Sequence, residues 1–136
     1  MKETKGLAFA GLLDGCLVVE DQSIIRIDLE ETLRGFGFRN VHGASTSEAA
    51  ARIAASSEIR FALLDYELGS CTSLQVAEAL VAKGIPAVFL TAYGTSVELP
   101  PGLAHLQVLA KPFSAELLED ALRKALEGIS EGSAGR

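Results

Sequence analysis

Three carboxylates, one hydroxyl and one ammonium close apolar runs along this chain. Glu20-Asp21 follows Cys16-Leu17-Val18-Val19, and Asp65 follows Phe61-Ala62-Leu63-Leu64. Thr91 closes Ala87-Val88-Phe89-Leu90, and Lys111-Pro112 follows Val108-Leu109-Ala110. Glu20, Asp21 and Asp65 supply the hard oxygens that Mg²⁺ prefers, and a divalent cation relieves their repulsion while letting a phosphate approach. Asp65 is then the candidate nucleophile, since a carboxylate can attack phosphorus and form an acyl phosphate. Lys111 can pair with a phosphoryl oxygen as a point charge, and the Thr91 hydroxyl can donate to another. Phosphoryl transfer needs positioning and charge neutralisation above all, and this set offers both. Singly, each residue has a plainer reading. The acidic pair could cap the next helix, Asp65 could shape a loop, Thr91 could end a strand, and Lys111 could be solvated. The combination, in order and each at a strand end, favours the chemical reading.

These residues can meet only if the runs are parallel strands whose carboxyl ends share one edge of a sheet. Short apolar runs bounded by polar residues fit strands covered on both faces. Strands are expected at Cys16–Val19, about Arg39–His42, Phe61–Leu64, Ala87–Leu90 and Gln107–Ala110. A first helix is expected over Gln22–Gly35, with Ile25, Leu29, Leu33 and Phe36 on one face. Capping-box spacings at Ser45/Glu48 and Thr72/Gln75 predict helices to about Ala55 and over about Ser73–Lys83. Pro100 and Pro101 predict a fourth helix that is short or irregular. The last helix is expected from Ser114 to about Glu127, with Leu118, Ala121, Leu122, Ala125 and Leu126 inward. This alternation predicts a doubly wound five-stranded parallel α/β sheet with five helices.

A chain of 136 residues suits one domain with a real core. The expected division is a leader over 1–14, the domain over 15–127, and a flexible Gly/Ser-rich tail over 128–136. A formal charge of −6 argues against a nucleic-acid partner. Cys16 and Cys71 make no metal spacing with each other or with His42 and His105, and two unpaired thiols suit a reducing cytoplasm. The apolar stretch Gly6–Leu13 is too short to span a membrane, and no cleavage site for secretion follows it.

The motifs Val18-Val19-Glu20-Asp21, Leu63-Leu64-Asp65, Leu90-Thr91-Ala92 and Lys111-Pro112-Phe113 resemble those of the receiver domains of two-component response regulators. The likeness covers about Gly15 to Glu127. It implies a flavodoxin-like fold with strand order 2-1-3-4-5. It implies phosphate transfer to Asp65 from a histidine kinase or histidine phosphotransfer protein. It also implies Mg²⁺ held by Asp21 and Asp65, with Glu20 acting through water and the Glu67 backbone carbonyl as a further ligand. Thr91, Lys111 and the Ala92 backbone N–H would bind the phosphoryl group, and the Lys111-Pro112 bond would be cis.

Four positions depart from the usual receiver pattern. Glu20 replaces an Asp. Gly69 and Ser73 stand where many receivers carry Pro and Gly. Val108 occupies the place of a rotating Tyr or Phe. The proline pair shortens the fourth helix, part of the usual output and dimer face. Tyr93, two residues after Thr91, is a candidate to cover the acyl phosphate in place of that aromatic.

The expected output is protein contact or phosphorelay, with an unidentified downstream protein as partner and a homodimer allowed. The chain reads as a stand-alone receiver or as one cut from a hybrid kinase, accepting phosphate without being a dedicated turnover enzyme. Two alternatives stay open. One is a pseudo-receiver that binds partners without phosphate. The other, by analogy, is a haloacid-dehalogenase-like phosphatase, which would place its second acid at Glu67.

Overall fold

The structure is a computed structural model that describes residues 14–69, 71–92 and 97–134. The strands are β1 (Asp14–Val19), β2 (Arg39–Ala44), β3 (Phe61–Asp65), β4 (Ala87–Thr91) and β5 (Gln107–Ala110). The helices are α1 (Ser23–Gly35), α2 (Ser47–Ser56), α3 (Leu74–Ala82) and α4 (Ala115–Ala134). The strands form one parallel sheet in the order β2-β1-β3-β4-β5, the flavodoxin-like arrangement expected from the sequence.

Alternation along the strands builds two cores. Cys16, Val18, Phe61, Leu63, Val88 and Leu90 pack with Leu29 and Leu33 of α1 and Leu118 and Leu122 of α4. Leu17, Val19, Ala62, Leu64, Ala87 and Phe89 pack on the other face with Ala50 of α2 and Val76, Ala77 and Leu80 of α3. β3 and β4 are buried along their whole length, which accounts for their unbroken apolar runs. Burying a side chain such as Leu63 or Phe89 stabilises the fold by about 1.5–3 kcal/mol. Ile25 and Phe36 of the expected α1 stripe also lie against the first core.

Local boundaries differ from the expectations for identifiable reasons. β2 runs on to Ala44, so the turn into α2 falls later than expected. Thr46, not Ser45, caps α2, its Oγ1 accepting from the Ala49 N–H at 3.0 Å. Glu48 instead sits in the first turn, where its charge suits the helix dipole. Thr72 is held in a two-residue antiparallel ribbon, Glu67–Leu68 against Cys71–Thr72, and its Oγ1 accepts from the Leu74 N–H at 3.4 Å, where α3 starts with Ser73 at its N-cap. That ribbon occupies the loop where Gly69 and Ser73 depart from the receiver pattern, and Gly69 takes φ +61° at its turn.

Between β4 and β5, the described residues hold only a 3₁₀ turn, Pro101–Leu103, where a fourth helix would lie. Proline is accommodated at its first position, where its missing N–H is not needed. Ser114 precedes α4 and accepts from the Leu117 N–H at 3.1 Å. The helix continues past Glu127 to Ala134, since Gly128 and Gly132 weaken a helix without breaking it. Among the described residues, no helix is long and apolar enough to cross a membrane.

Candidate functional site

Sheet register brings the chemical residues to one edge. Val19 pairs with Leu64, so Glu20 and Asp65 occupy the following rung. Asp65 pairs with Leu90, and Thr91 pairs with Ala110, which sets Thr91 and Lys111 at the ends of the next two strands. Backbone bonds fix the exits: Glu20 N–H to the Ala44 carbonyl at 2.9 Å, Tyr66 N–H to that of Leu90 at 2.8 Å, and Lys111 N–H to that of Thr91 at 2.8 Å. The chain leaves β1 for β2 on one side and returns to β3 on the other. The site therefore lies at the topological switch point, where open α/β sheets bind ligands.

The Lys111 Nζ donates to Asp65 Oδ1 at 3.1 Å and to Glu20 Oε1 at 3.5 Å. Asp65 is 4% exposed and Glu20 1%, whereas Asp21 is open to solvent. One oxygen from each of Glu20, Asp21 and Asp65 lies within 4.8 Å of the others. Burial is the main force raising the Asp65 carboxyl from 3.8 to about 6. The Lys111 hydrogen bond pulls it down and the neighbouring Glu20 charge pushes it up. For Lys111, burial favours the neutral amine, but Asp65 and Glu20 together outweigh it and raise its pKa.

This donor set fits Mg²⁺. Direct Mg–O bonds of 2.0–2.1 Å place ligand oxygens at most about 4.2 Å apart, so a cluster this tight admits two direct carboxylates and a third through water. Gly69 lies beside the Asp21 carboxylate, leaving that side of the cluster clear of a side chain. The Lys111-Pro112 peptide is cis, as the resemblance implied.

Glu20 Oε2 accepts from the Gln22 N–H at 3.1 Å, in the turn that leads into α1, while Oε1 faces Lys111; the first turn of α1 carries no side-chain cap. Val108 is 37% exposed on the edge strand, where an aromatic rotor would stand. Tyr93 lies outside the described residues. Cys16 is fully buried, and burial pushes its thiol pKa up, so it belongs to the core.

One contact was not legible in the sequence. Thr91 Oγ1 donates to Glu67 Oε2 at 2.6 Å, and the Ala92 N–H donates to Glu67 Oε1 at 3.5 Å. The sequence singled out Glu67 for its backbone carbonyl and as a neighbour of the acceptor. Its place two residues beyond Asp65 was the available signal, but the contact spans 24 residues and follows from the ribbon that turns the chain toward β4.

The sequence matches the response regulator receiver domain family over residues 16–123. It is 30% identical over 118 residues to the transcriptional regulatory protein PdtaR of Mycobacterium tuberculosis, covering 85% of this chain and 58% of that protein. The chain thus spans little more than half the length of that relative. Among solved structures, SdrG from Sphingomonas melonis Fr1 is similar at 33% identity and a TM-score of 0.68, covering 88% of this chain and 98% of that one. The response regulator TrrA of Thermotoga maritima, solved in complex with Mg²⁺-BeF, is similar at 25% identity and a TM-score of 0.71, covering 82% and 98%. Receiver domains are signalling domains of two-component systems rather than dedicated enzymes. Strand order, an acidic cluster at the switch point and the family match together establish that this chain belongs to the response regulator receiver domains.

Proposed function

We propose that the chain accepts a phosphoryl group on Asp65 from the phosphohistidine of a histidine kinase or histidine phosphotransfer protein. The observation that carries this reading is the Lys111 ammonium 3.1 Å from Asp65, at an edge shared with Glu20 and Asp21. An Asp65 oxygen attacks phosphorus, the donor's N–P bond breaks as the O–P bond forms, and the imidazole leaves with the electron pair. Lys111 pairs with a phosphoryl oxygen, and the Thr91 hydroxyl and Ala92 N–H donate to others. Asp21, Asp65 and the Glu67 carbonyl would hold Mg²⁺, with Glu20 acting through water. When bound, the cation neutralises the clustered acids and draws in the anionic donor. The Mg²⁺-BeF complex of the Thermotoga relative supports this assignment.

Residues 15–127 form the receiver in this reading. Its output is a population shift that alters contact with a downstream protein, or onward relay, in the cytoplasm. The phosphatase alternative has no support at Glu67, whose carboxylate engages Thr91 and Ala92.

Incubation with acetyl phosphate and Mg²⁺ followed by intact mass measurement tests the proposal. The expected result is a gain of one phosphoryl group, lost in Asp65→Asn. No gain in the unmodified chain leaves the phosphate-independent interaction module as the reading.

A further inference from the structure

Both donors that the proposal assigns to a phosphoryl group are already engaged by an anion of the chain itself. Thr91 is fully buried, and its hydroxyl makes a 2.6 Å bond to Glu67 Oε2, a length typical of a charge-assisted O–H···O⁻ bond. The other oxygen of the same carboxylate faces the Ala92 N–H at 3.5 Å. The backbone delivers Glu67 to this place. Tyr66 is tied to Leu90 through its N–H, Glu67 pairs with Thr72 in the ribbon, and the Ser73 N–H closes back on the Tyr66 carbonyl at 3.1 Å. The contact therefore joins the exit of β3 to the exit of β4.

We propose that the Glu67 carboxylate is a built-in occupant of the phosphoryl subsite. It holds Thr91 and Ala92 in an anion-bound arrangement before any phosphoryl group arrives, and it competes with that group for them. The inference rests on the acceptor reading above. A phosphoryl group on Asp65 carries its own negative charge, so it must displace the Glu67 carboxylate from both donors or face it at close range. Glu67 thereby weakens retention of the phosphoryl group. It also narrows the structural difference between the two signalling states, because Thr91 has an anionic partner in each.

The test uses beryllofluoride with the full chain, each variant first titrated to saturation with Mg²⁺, and calorimetry for affinity. Glu67→Ala is expected to bind beryllofluoride about tenfold more tightly than the unmodified chain, the worth of one charged competitor for a hydroxyl donor (about 1.4 kcal/mol). Glu67→Gln keeps the size and an acceptor oxygen but no charge, and is expected to fall between them. A second readout is the ¹⁵N–¹H resonance of Ala92 without ligand. Adding beryllofluoride should move it little in the unmodified chain and substantially in Glu67→Ala. A purely structural Glu67 would change the melting temperature while leaving both readouts alone, which overturns the inference. Equal or weaker beryllofluoride binding by both variants, with binding by the unmodified chain abolished in Asp65→Asn, overturns it while sparing the acceptor reading. No binding by any variant overturns both.

Discussion

Replacing Asp65 by Asn should stabilise the metal-free protein, and the gain should depend on pH. Asp65 and Glu20 are both buried, and both face the same ammonium at 3.1 and 3.5 Å, so two carboxylates share one positive charge. Burial and the Glu20 charge raise the Asp65 carboxyl from 3.8 to about 6 against the pull of Lys111. A rise of that size corresponds to about 3 kcal/mol against the ionised native state. The folded protein binds this proton more tightly than the unfolded chain does. The Asp65 contribution to stability is therefore greatest below about pH 4, declines as pH rises through the window up to about 6, and is flat above it. Asn carries no charge, and its amide oxygen can still accept from Lys111. In EDTA at pH 7.5, Asp65→Asn should be more stable by up to about 3 kcal/mol, or about 10 °C in melting temperature for a chain of this length. The gain should shrink toward zero at pH 4. Urea denaturation followed by far-UV circular dichroism across this range measures it. The difference between the two proteins cancels the contributions of every group that both contain. A variant no more stable at pH 7.5, or one whose gain is the same at every pH, would refute the account of crowded acids.

Three further outcomes follow from the geometry. Millimolar Mg²⁺ should raise the melting temperature of the unmodified chain, by mass action worth about 2.7 kcal/mol at a hundredfold excess over Kd. The shift should be largely lost in Asp21→Asn, and an equal shift there would remove Asp21 from the cation site. Leu122→Ala empties a fully buried position between α4 and the sheet and should cost about 2–5 kcal/mol by urea denaturation, whereas Ile24→Ala, at a residue 82% exposed, should change stability by less than about 0.5 kcal/mol. Gly15→Ala should destabilise by at least about 1–3 kcal/mol, because Gly15 has φ +81° and an added Cβ would run into the Glu58 carbonyl. A melting temperature within error of the unmodified chain would show that the β1 entry relaxes freely.

Much of this protein is written locally. The apolar runs at Cys16–Val19, Phe61–Leu64, Ala87–Leu90 and Gln107–Ala110 all lie in strands of one parallel sheet. Their period of two divides into the two cores, and the four-residue rhythm of Leu29 and Leu33 sets the buried face of α1. Proline at 100 and 101 announced the irregular segment before β5 through its fixed φ and missing N–H. Cap placement was less legible, because a capping spacing is satisfied by several registers. The length of β2 selected Thr46, and the ribbon set the Thr72 hydroxyl against the Leu74 N–H.

The site itself needed the tertiary structure. The sequence named Glu20, Asp21, Asp65, Thr91 and Lys111 as strand-end residues, since polar groups must stop an apolar run. Their separations came from sheet register, which joins Lys111 to Asp65 across 46 positions and to Glu20 across 91. Burial of Asp65, and hence its raised pKa, likewise comes from elements packed around it rather than from its neighbours in the chain. The direction of the Glu67 carboxylate is the clearest case. Nothing in a Tyr-Glu-Leu triplet specifies a partner on another strand; that depends on the turn at Gly69 and the β3–β4 pairing, two distant backbone facts that meet only in the folded chain.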